Sequence, residues 1–274
     1  MMVFLKKVAR GIVRAVRGVP ARIPVYVPVL QSELLKGRTA LITGGSGGIG
    51  YAIADAFLRA GSKVIISGRN KEKLDEAVSK LSSKGIISCV QIDNTEPASF
   101  GRILSGIGEF DILVNNAGYV GGGSFGSTVE SEYDAVLDTN LKGAYFLSQE
   151  VSSRWMANGT HGNILNVCSA SSLRPGNSPY ILSKWGMRSL TIGMAKQLIK
   201  HGIVVNGIAP GITDTERFTH GGNNIGKPSN PAGRMVTKEE IANMAVILVS
   251  PLCRMVVGDI LYMTGGGAIT TLDD

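Results

Sequence analysis

From residue 39 onward, short runs of near-continuous apolar residues alternate with longer stretches of helical periodicity. The apolar runs are 39–43, 63–67, 87–92, 111–114, 163–168, 203–208 and 259–263. Uninterrupted apolar runs of this length are what strands buried on both faces require. Between the first two, Ile53, Ala56, Phe57 and Ala60 repeat at helical spacing, and Gly61 follows as a terminator. Seven strands alternating with helices predict a Rossmann-like α/β fold, a doubly wound parallel seven-stranded sheet in a single domain. Ligands of such sheets sit beyond the carboxyl ends of the strands. Residues 216–235 break the rhythm: they are polar and rich in Gly, Asn and Pro, as a functional lid or a disordered loop would be.

Composition changes the picture in one place. The net charge of +7 over 274 residues resembles a nucleic-acid signal until it is divided. Residues 1–38 hold eight basic groups and one acid, and the remainder holds twenty of each. The body is neutral, so no nucleic-acid partner is expected, and the positive field belongs to an N-terminal arm. The expected division is an arm over 1–36 and a dinucleotide-binding domain over 37–274. Within the arm, residues 4–19 form a basic amphipathic pattern, with Lys6, Lys7, Arg10, Arg14 and Arg17 opposite Phe4, Leu5, Val8, Ile12 and Val16. Peripheral contact with an anionic membrane surface is one reading. A helix on a partner subunit and a disordered lead are the others.

No run is long and apolar enough to span a membrane. Three cysteines and three histidines, all scattered, form neither a disulfide framework nor a metal-ligand pattern. A cytoplasmic, metal-free protein, with surface attachment to a membrane as an option, is the expectation.

Glycine is the unusual component, 36 of 274 residues, about twice the usual share. One cluster, Thr43-Gly44-Gly45-Ser46-Gly47-Gly48-Ile49-Gly50, joins the first strand to the first helix. Glycines there permit a tight turn and close approach of backbone to a pyrophosphate, which the helix N-terminus then faces. Asn115-Asn116-Ala117-Gly118 follows the fourth strand, where its amides are expected to reach the same cleft. Tyr180 and Lys184 stand four apart on a predicted helix and so share a face. Each motif alone is weak, but the three in this order and at these strand ends are expected by chance roughly once in ten thousand such chains.

On these motifs the chain resembles the classical short-chain dehydrogenase/reductase family over about residues 37–269. The resemblance implies a nicotinamide cofactor, hydride transfer between it and a small-molecule carbonyl or secondary alcohol, and a homo-oligomer, dimer or tetramer. It implies Asn140, Ser169, Tyr180 and Lys184 as the catalytic set. The interval from Ser169 to Tyr180 is shorter than is usual in the family, which leaves Ser171 as the alternative serine. By the same resemblance Gly44, Ser46, Gly48, Ile49, Gly50 and Asn116 hold the cofactor, with Asp93 and Asn94 at the adenine. Pro210, Gly211, Thr213 and Thr215 flank the nicotinamide, and Asn140 holds a water that resupplies the proton. A non-catalytic scaffold or sensor that keeps the fold is the rival reading.

The chemistry of these residue types agrees. A phenol is a poor base at neutral pH, and a neighbouring ammonium favours the phenolate. Tyr180 beside Lys184 therefore suits a general acid/base, while Ser169 would bind and orient the carbonyl oxygen. After the second strand, Ser67-Gly68-Arg69-Asn70 offers no acid for a ribose 2′-hydroxyl and an arginine suited to a 2′-phosphate. NADP(H) is therefore favoured, with NAD(H) as the alternative. Substrate choice is expected to fall to residues 119–123, 174–178 and the 216–235 segment.

Overall fold

The computed structural model describes residues 31–215, 226 and 230–267. Seven strands, β1 (Thr39–Thr43), β2 (Lys63–Gly68), β3 (Ile87–Gln91), β4 (Ile112–Asn115), β5 (Asn163–Val167), β6 (Val204–Pro210) and β7 (Ile260–Met263), form one sheet. Every pairing is parallel and the order is 3-2-1-4-5-6-7. The order reverses between β1 and β4, so the crevice above their carboxyl ends is the place where such a sheet admits a ligand.

Alternation along the strands sends successive side chains to opposite helical layers. Ala40, Ile42, Val64, Ile66, Ile112 and Val114 pack with α1 (Gly48–Arg59), α2 (Lys71–Leu81) and α7 (Lys238–Val249). Leu41, Ile65, Leu113, Ile164 and Val205 face α3 (Phe100–Ser105), α5 (Gly143–Asn158) and α6 (Pro179–Leu198). Both faces are covered over β1, β2, β4, β5 and β6, which is why those strands read as near-continuous apolar runs. The edge strands β3 and β7 are only partly buried. At the opposite end from the crevice, Arg38 pairs with Asp111 and donates to Asn163 Oδ1 at 2.9 Å, tying β1 to β5 through the start of β4.

The helix ends follow local chemistry. Gly61, at φ 88, turns the chain after α1 into β2. Asn70 caps α2 by accepting from Lys73 N–H, and Ser178 caps α6 ahead of Pro179 in its first turn. Thr237 and Glu240 close a capping box on α7. One irregularity interrupts the helix running from α4 (Glu130–Leu137) into α5: Asp138–Lys142 is a π-turn, and Asn140 is in it. Such turns recur at functional sites because the extra residue re-aims a side chain.

The chain divides at Leu30/Gln31. Leu34 and Leu35 are buried and pack into the core. The amphipathic arm over 4–19 lies outside the described residues, as does most of the 216–235 segment. No described helix is long and apolar enough to cross a membrane, and no cluster of three metal-ligating side chains occurs among the described residues.

Candidate active site

The glycine-rich turn is shaped by its neighbours. A Cβ on Gly50 would lie 2.3 Å from Gly44 O and 2.4 Å from Asn116 Nδ2, and one on Gly45 2.6 Å from Ile66 Cγ2. Gly44 and Gly48 take φ of 65° and 53°, where side chains are disfavoured. Gly47 differs: its backbone is extended, and a Cβ there would meet nothing within 4 Å. Protein packing does not require a glycine at 47. Gly47 is the N-cap of α1, with no side chain capping the helix. Backbone N–H groups and the positive dipole end therefore face the cleft, a fit for a dinucleotide pyrophosphate.

Thr43 and Asn116 brace this turn. Thr43 Oγ1 donates to Val114 O at 3.2 Å and accepts from Asn116 and Ala117 N–H at 3.0 Å each. Asn116 Nδ2 donates to Thr43 O at 2.9 Å and Gly44 O at 3.2 Å. The adjoining Asn115 does not reach the cleft as expected. It is buried on the other side of β4 and donates to Ser148 Oγ and Asn166 Oδ1, because consecutive strand residues point to opposite faces.

Two connected stretches of cleft open from the turn. The first, lined by Gly44, Ser46, Gly68, Arg69, Asp93 and Asn94, with Asn70, Ile92 and Thr139, lies over β1–β3. Arg69 makes no ion pair among the described residues, while Asp93 is partly engaged, accepting from Thr95 N–H and its hydroxyl. The second is a cavity of about 340 Å³ over β4–β6. Gly44, Gly47, Ile49 and Asn116 line it together with Ser169, Tyr180, Lys184, Pro210, Gly211, Thr213 and Thr215. Gly48 and Gly50 shape the turn from beneath and line neither stretch.

Ser169, Tyr180 and Lys184 meet in the second stretch. Lys184 is buried, and its Nζ donates to Val167 O at 2.9 Å while standing 5.8 Å from the centre of the Tyr180 ring. Ser169 Oγ accepts from Ser171 N–H at 3.1 Å. Ser169 and Tyr180 also line a third, adjoining pocket with Ser171, Arg174, Ile212 and Thr264. Ser171 borders only that outer pocket, whereas Ser169 borders both. Cys168 lines the cleft as well, and burial pushes its thiol above the usual cysteine value, which keeps it protonated and inert.

Asn140 lines none of these spaces. Its Oδ1 accepts from Tyr119 N–H at 2.6 Å, and its Nδ2 donates to Tyr119 O at 2.9 Å and to Ser183 Oγ at 3.0 Å. Ser183 Oγ in turn donates to Tyr180 O at 2.7 Å. The amide is thus engaged with the cleft loop and the helix that carries Tyr180. Sequence reading placed Thr43 in the glycine motif without giving it a role of its own, and passed over Ser183. Thr43 ends β1 within the glycine motif, a usable signal, whereas Ser183 has none beyond its place between Tyr180 and Lys184.

A family profile described as short chain dehydrogenase matches residues 38–224. Gluconate 5-dehydrogenase of Gluconobacter oxydans is 35% identical over 248 residues, covering 85% of this chain and 95% of the relative. A 3-oxoacyl-(acyl-carrier-protein) reductase of Rickettsia bellii is 35% identical over 237 residues, covering 85% and 97%. Among solved structures, a gluconate 5-dehydrogenase from Burkholderia cenocepacia in complex with NADP and tartrate superposes with a TM-score of 0.80 at 30% identity, covering 88% of this chain and 99% of that one.

Proposed function

Since this chain belongs to the short-chain dehydrogenase/reductase family and is an NAD(P)-dependent oxidoreductase of alcohol or carbonyl substrates, we propose that it works with NADP(H) and uses Tyr180 as its general acid/base. The observation that carries this reading is the meeting of Ser169, Tyr180 and Lys184 in one cleft continuous with the glycine-rich turn.

In reduction, the Ser169 hydroxyl and the Tyr180 phenol hold the carbonyl oxygen between them. The reduced nicotinamide, when bound, supplies a hydride equivalent to the carbonyl carbon. Tyr180 gives its phenolic proton to the oxygen, and the Lys184 ammonium stabilises the phenolate left behind. One Lys184 donor is fixed on Val167 O, and the remaining ammonium protons would be available to hold a ribose hydroxyl of the cofactor. Asn140 keeps the Tyr119 loop and α6 in register, and so acts on the cleft through them.

Arg69 is the anchor for a 2′-phosphate, supported by the lack of an acid beside it in its stretch of the cleft except the partly engaged Asp93. NADP in the Burkholderia complex supports the same preference. A homo-oligomer belongs to this reading and is supported by the exposed Tyr145, Trp185 and Ile192 on α5 and α6. Thermal-shift titration with NADPH and NADH side by side tests the proposal. A ligand that binds only the folded state raises stability by roughly 2.7 kcal/mol at a hundredfold excess over Kd. The larger shift is expected with NADPH. A larger shift with NADH would reassign the cofactor, and no shift with either would favour the non-catalytic scaffold.

A further inference from the structure

After β6 the chain borders the cavity with Gly211, Thr213 and Thr215. Thr213 is buried, and Thr215 stands against the glycine-rich turn, its Cγ2 lying 3.8 Å from where a Cβ on Gly48 would be. Between the two threonines, Asp214 takes no part in the cavity lining. Its carboxylate turns to α7 instead, where Oδ1 accepts from Lys238 N–H at 2.7 Å. Lys238 is the first residue of that helix, so its N–H has no partner within the helix, and a carboxylate there also suits the dipole.

The backbone follows the same course. Val236 N–H donates to Ile212 O and Asp214 N–H to Val236 O, each at 3.1 Å, and Thr213 and Val236 form a parallel bridge. The α7 N-terminus already has a capping box of its own, made by Thr237 and Glu240 three residues apart. That box serves the helix alone. The Asp214 bond spans 24 residues and joins the helix to the cleft. Further along, α7 packs against α1, whose N-terminus carries the glycine-rich turn. Turn, α1, α7 and the 213–215 wall thus form a closed circuit, and the Asp214 carboxylate is the side-chain link that completes it.

We propose that Asp214 is a positioning residue for dinucleotide binding: by tying the 213–215 wall to the α7 N-terminus, it holds that wall at the distance from the glycine-rich turn that the bound cofactor needs. This deepens the NADP(H) reading and rests on it. The sign of the effect separates it from simple electrostatics. Removing an acid near an anionic ligand should by charge alone tighten binding, whereas loss of the tie should weaken it.

The test titrates the full chain with NADPH, by nucleotide fluorescence, beside melts without cofactor. Asp214→Ala and Thr237→Ala each remove one cap from the same helix, so each is expected to lower the cofactor-free Tm by about 2–4 °C. Only Asp214→Ala should raise the NADPH Kd, by about tenfold, while Thr237→Ala stays within about twofold of the native chain. Asp214→Asn, whose amide oxygen still accepts from Lys238 N–H, should recover most of the affinity despite losing the charge. Asp214→Glu keeps the charge but lengthens the tie by one methylene; its Kd should rise severalfold, which gives the reading should the alanine variant not fold. An unchanged or lower Kd in Asp214→Ala, an equal rise in Thr237→Ala, or no recovery in Asp214→Asn would overturn this proposal alone. Should the native chain prefer NADH, the same titrations with NADH decide it. A native chain that binds neither nucleotide would overturn the cofactor reading, and this proposal with it.

Discussion

Lys184 Nζ is held 2.9 Å from Val167 O at the end of β5 and 5.8 Å from the centre of the Tyr180 ring. One hydrogen bond thus fixes an ammonium between the strand that delivers Ser169 and the phenol that we propose as the general acid/base. Tyr180→Phe should lower turnover by about 10²–10⁴-fold, the usual size of a positioned acid/base contribution. The NADPH-induced thermal shift should survive, since the ring and the lysine remain. Steady-state kinetics beside thermal shift on the same variant checks both halves, and full activity in the phenylalanine variant would refute the assigned role.

Two glycines three residues apart should respond oppositely to alanine. Gly50→Ala places a Cβ against backbone at 2.3 Å, so a loss of about 3 kcal/mol or more and a Tm drop of roughly 5–10 °C are expected. Gly47→Ala has open space and an extended backbone, so its Tm without cofactor should stay within about 2 °C. Its Kd for NADPH should rise about tenfold or more, because the methyl intrudes where the phosphates approach. Melting curves with and without NADPH separate the two effects.

Arg69→Gln should reduce the preference for NADPH over NADH by about 10- to 100-fold, through loss of a charge-assisted pair with the 2′-phosphate. The effect should shrink as salt is raised, because Arg69 is exposed. Kd values for both nucleotides at two ionic strengths measure it. An unchanged ratio would move the phosphate anchor elsewhere in the cleft.

Glu240 carries a pH signature. Hydrogen bonding from Arg234, and then from the Thr237 N–H, holds its carboxyl well below the ordinary 4.5, at about 2. With the folded value depressed, the stabilisation is fully present above about pH 4.5 and is lost as pH falls toward 2. Both partners are nearly half exposed, so solvent screening limits the gain to about 1 kcal/mol. Glu240→Gln should therefore melt lower than the native chain at pH 7, and the gap should close in acid. Parallel melts from pH 7 to pH 3 give the comparison.

Much of the candidate site is local in origin and was legible in the residues. The glycine turn depends on backbone dihedrals that few other residues adopt, and Gly44 and Gly48 take them. Tyr180 and Lys184 share a face because helical periodicity brings i and i+4 together. Arg69 was visible as a basic residue where an acid would mark the other cofactor. Five of the seven strands, β1, β2, β4, β5 and β6, were visible because both faces of the sheet are covered there, and so each reads as an apolar run. The edge strands β3 and β7 are only partly buried.

What the tertiary structure alone decided concerns partners distant in sequence. Asn140 could have faced solvent, a backbone group or a water; packing placed its amide, within a π-turn, on Tyr119, 21 residues away. Asn115 and Asn116 look alike in sequence, yet strand alternation sends one into the core and the other to the turn. Lys184 found Val167 O, 17 residues away, only because α6 lies across the end of β5. Periodicity records which face a residue occupies, since that follows from the backbone repeat of its own element. Which group it meets there depends on how two elements cross, and that is set by the packing of the whole core.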